Sequence, residues 1–238
     1  LSRQEFRDAE NATLIEVGRE TVDGGSTSAT TNWYCLFERT EIDSDRVAER
    51  AELTDPEIDA MGQLRVGVAF RATPATNAPA AEMSDWALNP VYGESRDRPP
   101  MVHVFLPTKE RSPIPALVTG TFQSDTSRRN LTLDHDGEHG YEGQFNGYLF
   151  EEVGTLFARR VLPFVSASAT TPASFVEALD PSLGQRREWS FTPGDVDHCL
   201  FEQVNAAVSP VPFLPSAFGD DSVSIDAVRL PPTSNEFP

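Results

Sequence analysis

Lysine is almost missing from this chain. Lys109 is the single one in 238 residues, so eighteen of the 19 cationic side chains are arginines. Positive charge as a whole is scarce: 37 Asp plus Glu leave a formal charge of −18. That balance argues against duplex DNA as a direct partner, because neutralising phosphates needs a basic face. Cysteine is equally sparse. Cys35 and Cys199 stand far apart in apolar runs, NWYCLFE and DHCLFEQ, which points to two buried thiols and not to a disulfide-stapled scaffold. No run of eighteen apolar residues occurs, so no helical membrane span and no membrane partner is expected. The glycine-lysine phosphate loop, the dinucleotide fingerprint and the nucleophile elbow are also absent, which removes the common self-sufficient nucleotide and acyl-transfer sites.

What is present is a globular composition. With 39% hydrophobic residues and fifteen phenylalanines, the chain can build a core that removes about 70% of its unfolded surface from water. Acidic excess with arginine in place of lysine resembles the proteins of haloarchaea. In multimolar salt the Debye length falls to about 3 Å or less, which relaxes the self-repulsion of such a surface. The expected setting is therefore a halophilic cytoplasm. No signal peptide is visible, and because the chain begins at Leu1 and not at methionine it is expected to continue upstream.

Strand patterns dominate the first half. Thr13 to Val17, Asn32 to Thr40 and Met101 to Leu106 read as strands. Leu64, Val66, Val68 and Phe70 alternate with small or polar residues as one buried face does. In the second strand, Trp33, Cys35 and Phe37 lie on one side and Tyr34 and Leu36 on the other, a pattern suited to burial on both faces. Ser2 with Glu5 has capping-box spacing and predicts a helix over 3–10; Ser44 predicts a short one over 45–52. Gly24 to Thr31 reads as a polar loop, and 73–100 as a long irregular connection pinned by Trp86 and Tyr92. Helices fill the second half: Gln144 to Val161, with Leu149, Val153, Leu156, Phe157 and Val161 on one stripe, then 172–179 and 194–208. The tail from Pro210 is proline-rich, with Val223 to Leu230 strand-like. Strands before helices predict an α+β fold, with a mixed or antiparallel sheet and helices packed mainly on one face. The expected division is 1–165 as the α+β domain and 166–238 as a helical, proline-rich extension packed on it.

The segment with chemical content runs from Phe105 to Asn130, FLPTKERSPIPALVTGTFQSDTSRRN. A strand ends in Phe105-Leu106-Pro107-Thr108, a charged turn follows, and an apolar piece leads through Gly120 and Phe122 to Ser127-Arg128-Arg129. Asp134 and the helix at Gln144 come next. In that order the segment resembles the middle, or transducer, domain of heat-shock protein 90-like (GHKL) ATPases, and most closely the Hsp90-like regions of the sacsin family. The resemblance covers about 60 residues, 101 to 161.

It implies a transducer-type fold, like domain 2 of a ribosomal small-subunit protein, and a non-catalytic coupling role. Arg128 would reach the γ-phosphate of ATP, bound with Mg on an N-terminal domain of the same chain, and would pass nucleotide state to other protein domains. A guanidinium suits that role, being always charged and matched to phosphate oxygens. Arg129 departs from the chaperone pattern, which has Glu there, so either arginine is a candidate. Lys109 is a third, by analogy with the γ-phosphate lysine of gyrase-type relatives, although it lies in a different loop. Asp23-Gly24-Gly25 matches the adenine-clamping turn of these ATPases only superficially, since no glutamate-asparagine helix precedes it. The fragment alone is expected not to hydrolyse ATP. A parent ATPase is the implied chaperone or effector machine.

Two other readings stand beside this one. Arg128 and Arg129 could pair with Asp125 or Asp134 in a protein-interaction domain that never meets nucleotide. His135-Asp136-Gly137-Glu138-His139 could form a metal-dependent enzyme site, but it has no fourth anchor and lacks helical ligand spacing, so a hydrated acidic loop and no metal is the expectation. His103 is expected to be structural. Asp195 and Asp197 read as residues that favour a helix N-terminus.

Overall fold

Alternation sets the sheet and phenylalanines fasten the helices to it. The computed structural model describes residues 2–5, 12–23, 26–51, 54, 56, 62–75, 82–91, 100–104, 106–127, 129–133, 140–168, 196–215, 222–224 and 227. Strands β1 (Ser2–Glu5), β2 (Ala12–Asp23), β3 (Ser26–Arg39) and β4 (Val66–Pro74) form an antiparallel run. The second edge of β4 is shared. Its C-terminal half pairs with β5 (Trp86–Asn89), and its N-terminal half with β8 (Leu117–Gly120). Strand β6 (Met101–Val104) lies parallel to β8 and forms an antiparallel hairpin with β7 (Leu106–Arg111). The sheet order is β1-β2-β3-β4-β8-β6-β7. The fold is α+β with a mixed sheet, as the order of elements predicts.

On the inner face, Leu14, Cys35, Phe37, Val66, Val68, Phe70, Val102 and Val118 are buried. Cys35 pairs with Phe70 across the strands, and Phe37 with Val68. Burial pushes the Cys35 thiol pKa far up, which makes it an inert core side chain. Neither cysteine is in a disulfide. Tyr34 and Leu36, on the other face of β3, are only half-buried, so burial on both sides is incomplete.

A helical rod lies on the inner face: α2 (Gly140–Leu156), a π-helical turn (Phe157–Val161) and α3 (Leu162–Ala167). Phe157 meets Phe70 edge-on with ring centroids 5.9 Å apart, and Phe164 meets Phe37 at 5.3 Å. Such pairs add about 0.5–1.5 kcal/mol each beyond their buried area. Pro163 accounts for the π turn. It has no N–H for the carbonyl of Arg159 and its ring would strike that carbonyl in a regular α-helix. The wider turn, in which the Leu162 N–H reaches back to the Phe157 carbonyl, avoids the collision. The rod thus continues to Ala167, and the expected boundary at 165/166 falls inside α3. Helix α1 (Ser44–Ala51) and helix α4 (Val196–Val208) both pack against α2. The chain after 166, where described, is joined to the domain through α4. Two short strands, β9 (Leu214–Pro215) and β10 (Ser222–Val223), pair beyond it.

Helix α4 approaches α2 at Gly154. A Cβ there would stand 2.6 Å from the Gln203 carbonyl oxygen and 3.2 Å from the Ala207 Cβ. Gly154→Ala is therefore expected to destabilise by about 1–2 kcal/mol: overpacking of about 1–3 kcal/mol outweighs about 1 kcal/mol of helix propensity gained. Chemical denaturation checks it, and a stabilised variant would mean the helices separate freely.

Several sequence expectations are corrected. Ser2–Glu5 is a strand and not a helix start, because its backbone pairs with Thr13–Glu16 of β2 and tertiary pairing overrides a local capping signal. Ser26–Thr31 belongs to β3, held in register from Ser26↔Asp23 onward. The cap of α1 is Asp43, whose Oδ1 accepts the N–H groups of Asp45 and Arg46, and not Ser44. Trp86 is fully buried and opens strand β5 within the stretch expected to be irregular. Pro107 does not close the strand there. It sits in β7, at the edge of the sheet, where a missing N–H costs no ladder bond. Thr108–Arg111 is accordingly strand and not turn. Tyr92, the 172–179 helix, Asp195 and most of 223–230 lie outside the described residues.

Candidate functional site

After β8 the chain turns at Gly120, where a Cβ would lie 2.8 Å from the Phe122 ring. Phe122 is buried against Phe150 of α2, with centroids 5.3 Å apart. The loop that follows is closed at its base by Asn146, a fully buried side chain of α2. Its Oδ1 accepts the Gln123 N–H at 2.7 Å, and its Nδ2 donates to the carbonyls of Gln123 and Thr132, both at 2.7 Å. Ser124 and Leu131 then bridge as antiparallel partners. One amide side chain thus replaces a further rung of sheet.

Inside the loop Asp125 is the hub. Its carboxylate accepts from Ser127 Oγ at 2.8 and 2.9 Å, from the Arg129 N–H at 3.0 Å and from Asn130 Nδ2 at 2.8 Å. The Asp125 N–H donates to the Asn130 carbonyl at 3.0 Å. An aspartate that gathers the N–H groups of the next few residues is the usual way to fix a tight turn. The Arg129 N–H, then Ser127 Oγ, then Asn130 hold the Asp125 carboxyl down at about 2, against the opposing effect of partial desolvation. The folded pKa lies below the ordinary value, so the contribution is whole above about pH 4 and is lost as pH falls through about 2. The Arg129 and Asn130 amide resonances are expected to titrate with a midpoint near 2; a midpoint near 3.8 would mean these bonds are not made in solution.

The loop is fastened to the edge strand. The Lys109 N–H donates to the Arg129 carbonyl at 2.7 Å, and Glu110 Oε1 accepts the Leu131 N–H at 3.2 Å. Lys109 and Arg129, separated by twenty positions in sequence, are therefore neighbours at one edge. Arg111, two residues along β7 on the same side as Lys109, joins them. Sequence reasoning missed Arg111; its spacing of two from Lys109 on a strand was the available signal. All three side chains are exposed, and among the described residues none makes an ion pair. Arg129 does not pair with Asp125 through its guanidinium; Asp125 takes its main-chain N–H instead. Arg128, the first-choice residue, lies outside the described residues, as do Asp134 and the 135–139 loop. Among the described residues no group of three or more His, Cys, Asp or Glu is placed to hold a metal ion. His103 lies half-buried in β6, and burial lowers its pKa.

Asn146 was also missed. The signal was an amide four residues before Phe150, on the same stripe as Val153 and Phe157, where the pattern calls for an apolar residue. No helix among the described residues is long and apolar enough to cross a membrane. Comparison of the chain with family models, with curated proteins and with solved structures finds no match.

Proposed function

We propose that this chain is a non-catalytic coupling module of an Hsp90-like ATPase, and that the Asp125 loop presents arginine to the γ-phosphate of ATP held on a separate nucleotide-binding domain. One observation carries the reading. In a chain of formal charge −18, the loop and the edge strand it is bonded to display Lys109, Arg111 and Arg129 together, exposed and without carboxylate partners among the described residues. A set without pairing on a braced loop is suited to an anion that arrives from outside.

The brace has a mechanistic use. Side chains held by fixed backbone need little rearrangement when charge develops on a transferring phosphoryl group, and such preorganisation is where electrostatic stabilisation comes from. Loss of the third phosphate would remove the partner of the loop, which is how a module of this kind converts hydrolysis into domain movement. ATP and Mg belong, in this reading, to the other domain, and this chain contributes cations alone. The experiment compares ATP hydrolysis by wild type and Arg128→Ala in the protein that joins this chain to a nucleotide-binding domain. A large loss is expected. An unchanged rate would favour a protein-interaction domain with no nucleotide contact.

A further inference from the structure

A second concentration of arginine lies elsewhere, where β3 ends against the π turn. A cleft of about 440 Å³ is lined there by Glu38, Arg39, Thr40, Glu41, Thr155, Leu156, Arg159 and Arg160. That volume is within the range of small-molecule sites, roughly 300–1,000 Å³. We propose that this cleft binds the phosphate monoester of a small hydroxylated molecule, with Arg39 and Arg159 on the phosphate and the carboxylate of Glu41 accepting from its hydroxyls.

Three of the eighteen arginines line this one cleft. Arg39 is the anchored member. Its Nε lies 2.6 Å from Glu152 Oε2, behind the cleft, and the two atoms are buried without an aligned hydrogen bond. Glu152 in turn sits beside Tyr148, whose phenol burial and the Glu152 charge push up to about 12. The ion pair fixes the Arg39 stem, while the side chain remains 29% exposed. Arg159 is exposed on the π turn itself. π turns recur at functional sites because they move side chains off the regular helical positions. The lining is polar on both signs, and that mixture selects for a ligand with an anionic end and donor groups, not for a bare anion or an apolar molecule.

The cleft shares no residue with the Asp125 loop, so the two readings fail separately. The test is calorimetric titration of the whole chain with ribose 5-phosphate and with inorganic phosphate. Saturable one-to-one binding of ribose 5-phosphate is expected, with inorganic phosphate weaker at the same site. Arg159→Glu, at an exposed position, is expected to weaken it at least about tenfold, since a charge-assisted bond is lost and a like charge introduced. Thr155→Phe, which fills the cleft without changing charge, is expected to abolish it. Arg129→Glu should leave it unchanged. Absence of saturable binding, wild-type affinity in either folded cleft variant, or loss in Arg129→Glu in place of Arg159→Glu would overturn the proposal.

Discussion

Arg128→Ala is expected to slow ATP hydrolysis about 10³-fold at saturating nucleotide, the effect of removing an arginine supplied to a phosphoryl-transfer site from another domain. The loss should fall on kcat and leave KM nearly unchanged, because under the proposal the side chain would meet the γ-phosphate and not the adenine or ribose that anchor the substrate. Arg128→Lys should recover little: lysine keeps the charge but not the planar fork that spans two phosphate oxygens. Arg129→Ala provides the internal comparison. The main-chain N–H of Arg129 is spent on Asp125 and its carbonyl on Lys109. Truncating its side chain leaves both bonds and should cost less than about tenfold. Were the larger loss to follow Arg129→Ala, the phosphate contact would belong to Arg129. Were neither variant slower, the cations at this edge would serve a protein partner.

The core was legible in the sequence and the site was not, for a physical reason. Val66, Val68 and Phe70 alternate because one face of a strand is buried; Leu149, Val153 and Phe157 recur because one face of a helix is. Periodicity records burial, so it recovers the sheet, the rod and their contact. Tertiary pairing leaves weaker marks. Ser2–Glu5 carries a capping-box signal yet is held as a strand by β2, and Pro107 sits within β7 because an edge position asks no N–H of it. The loop was found from the Ser127-Arg128-Arg129 motif, but its architecture depends on partners distant in sequence. Asn146 stands 23 residues from Gln123, and no local pattern joins Lys109 to Arg129. Likewise the π turn depends on Pro163, and the helix expected to end at Val161 continues through a widened turn to Ala167.

Asn146→Leu is expected to destabilise the fold by about 4 kcal/mol. The leucine matches the amide in size but leaves the Gln123 N–H and the carbonyls of Gln123 and Thr132 without the partner that all three share. Each such group costs about 1–3 kcal/mol when orphaned, and the part-buried position of these bonds allows water to recover some of it. For a chain of this length, roughly 2–4 °C of melting temperature accompanies each kcal/mol, so a fall of about 10 °C is expected. The damage should also be local. With its base untied, the loop should open more often than the sheet, and trypsin should cut after Arg128 or Arg129 well before cleavage elsewhere. Asn146→Asp separates geometry from hydrogen bonding. It keeps an acceptor for the Gln123 N–H but turns a carboxylate toward two carbonyl oxygens, so at neutral pH it should destabilise at least as much as leucine. Protonation would restore a donor, which means the gap between the two variants should narrow, or reverse in favour of Asp, as pH falls toward 5. A leucine variant that melts within about 2 °C of wild type, with no new tryptic site, would show that the loop is held by Asp125 and the β7 edge alone.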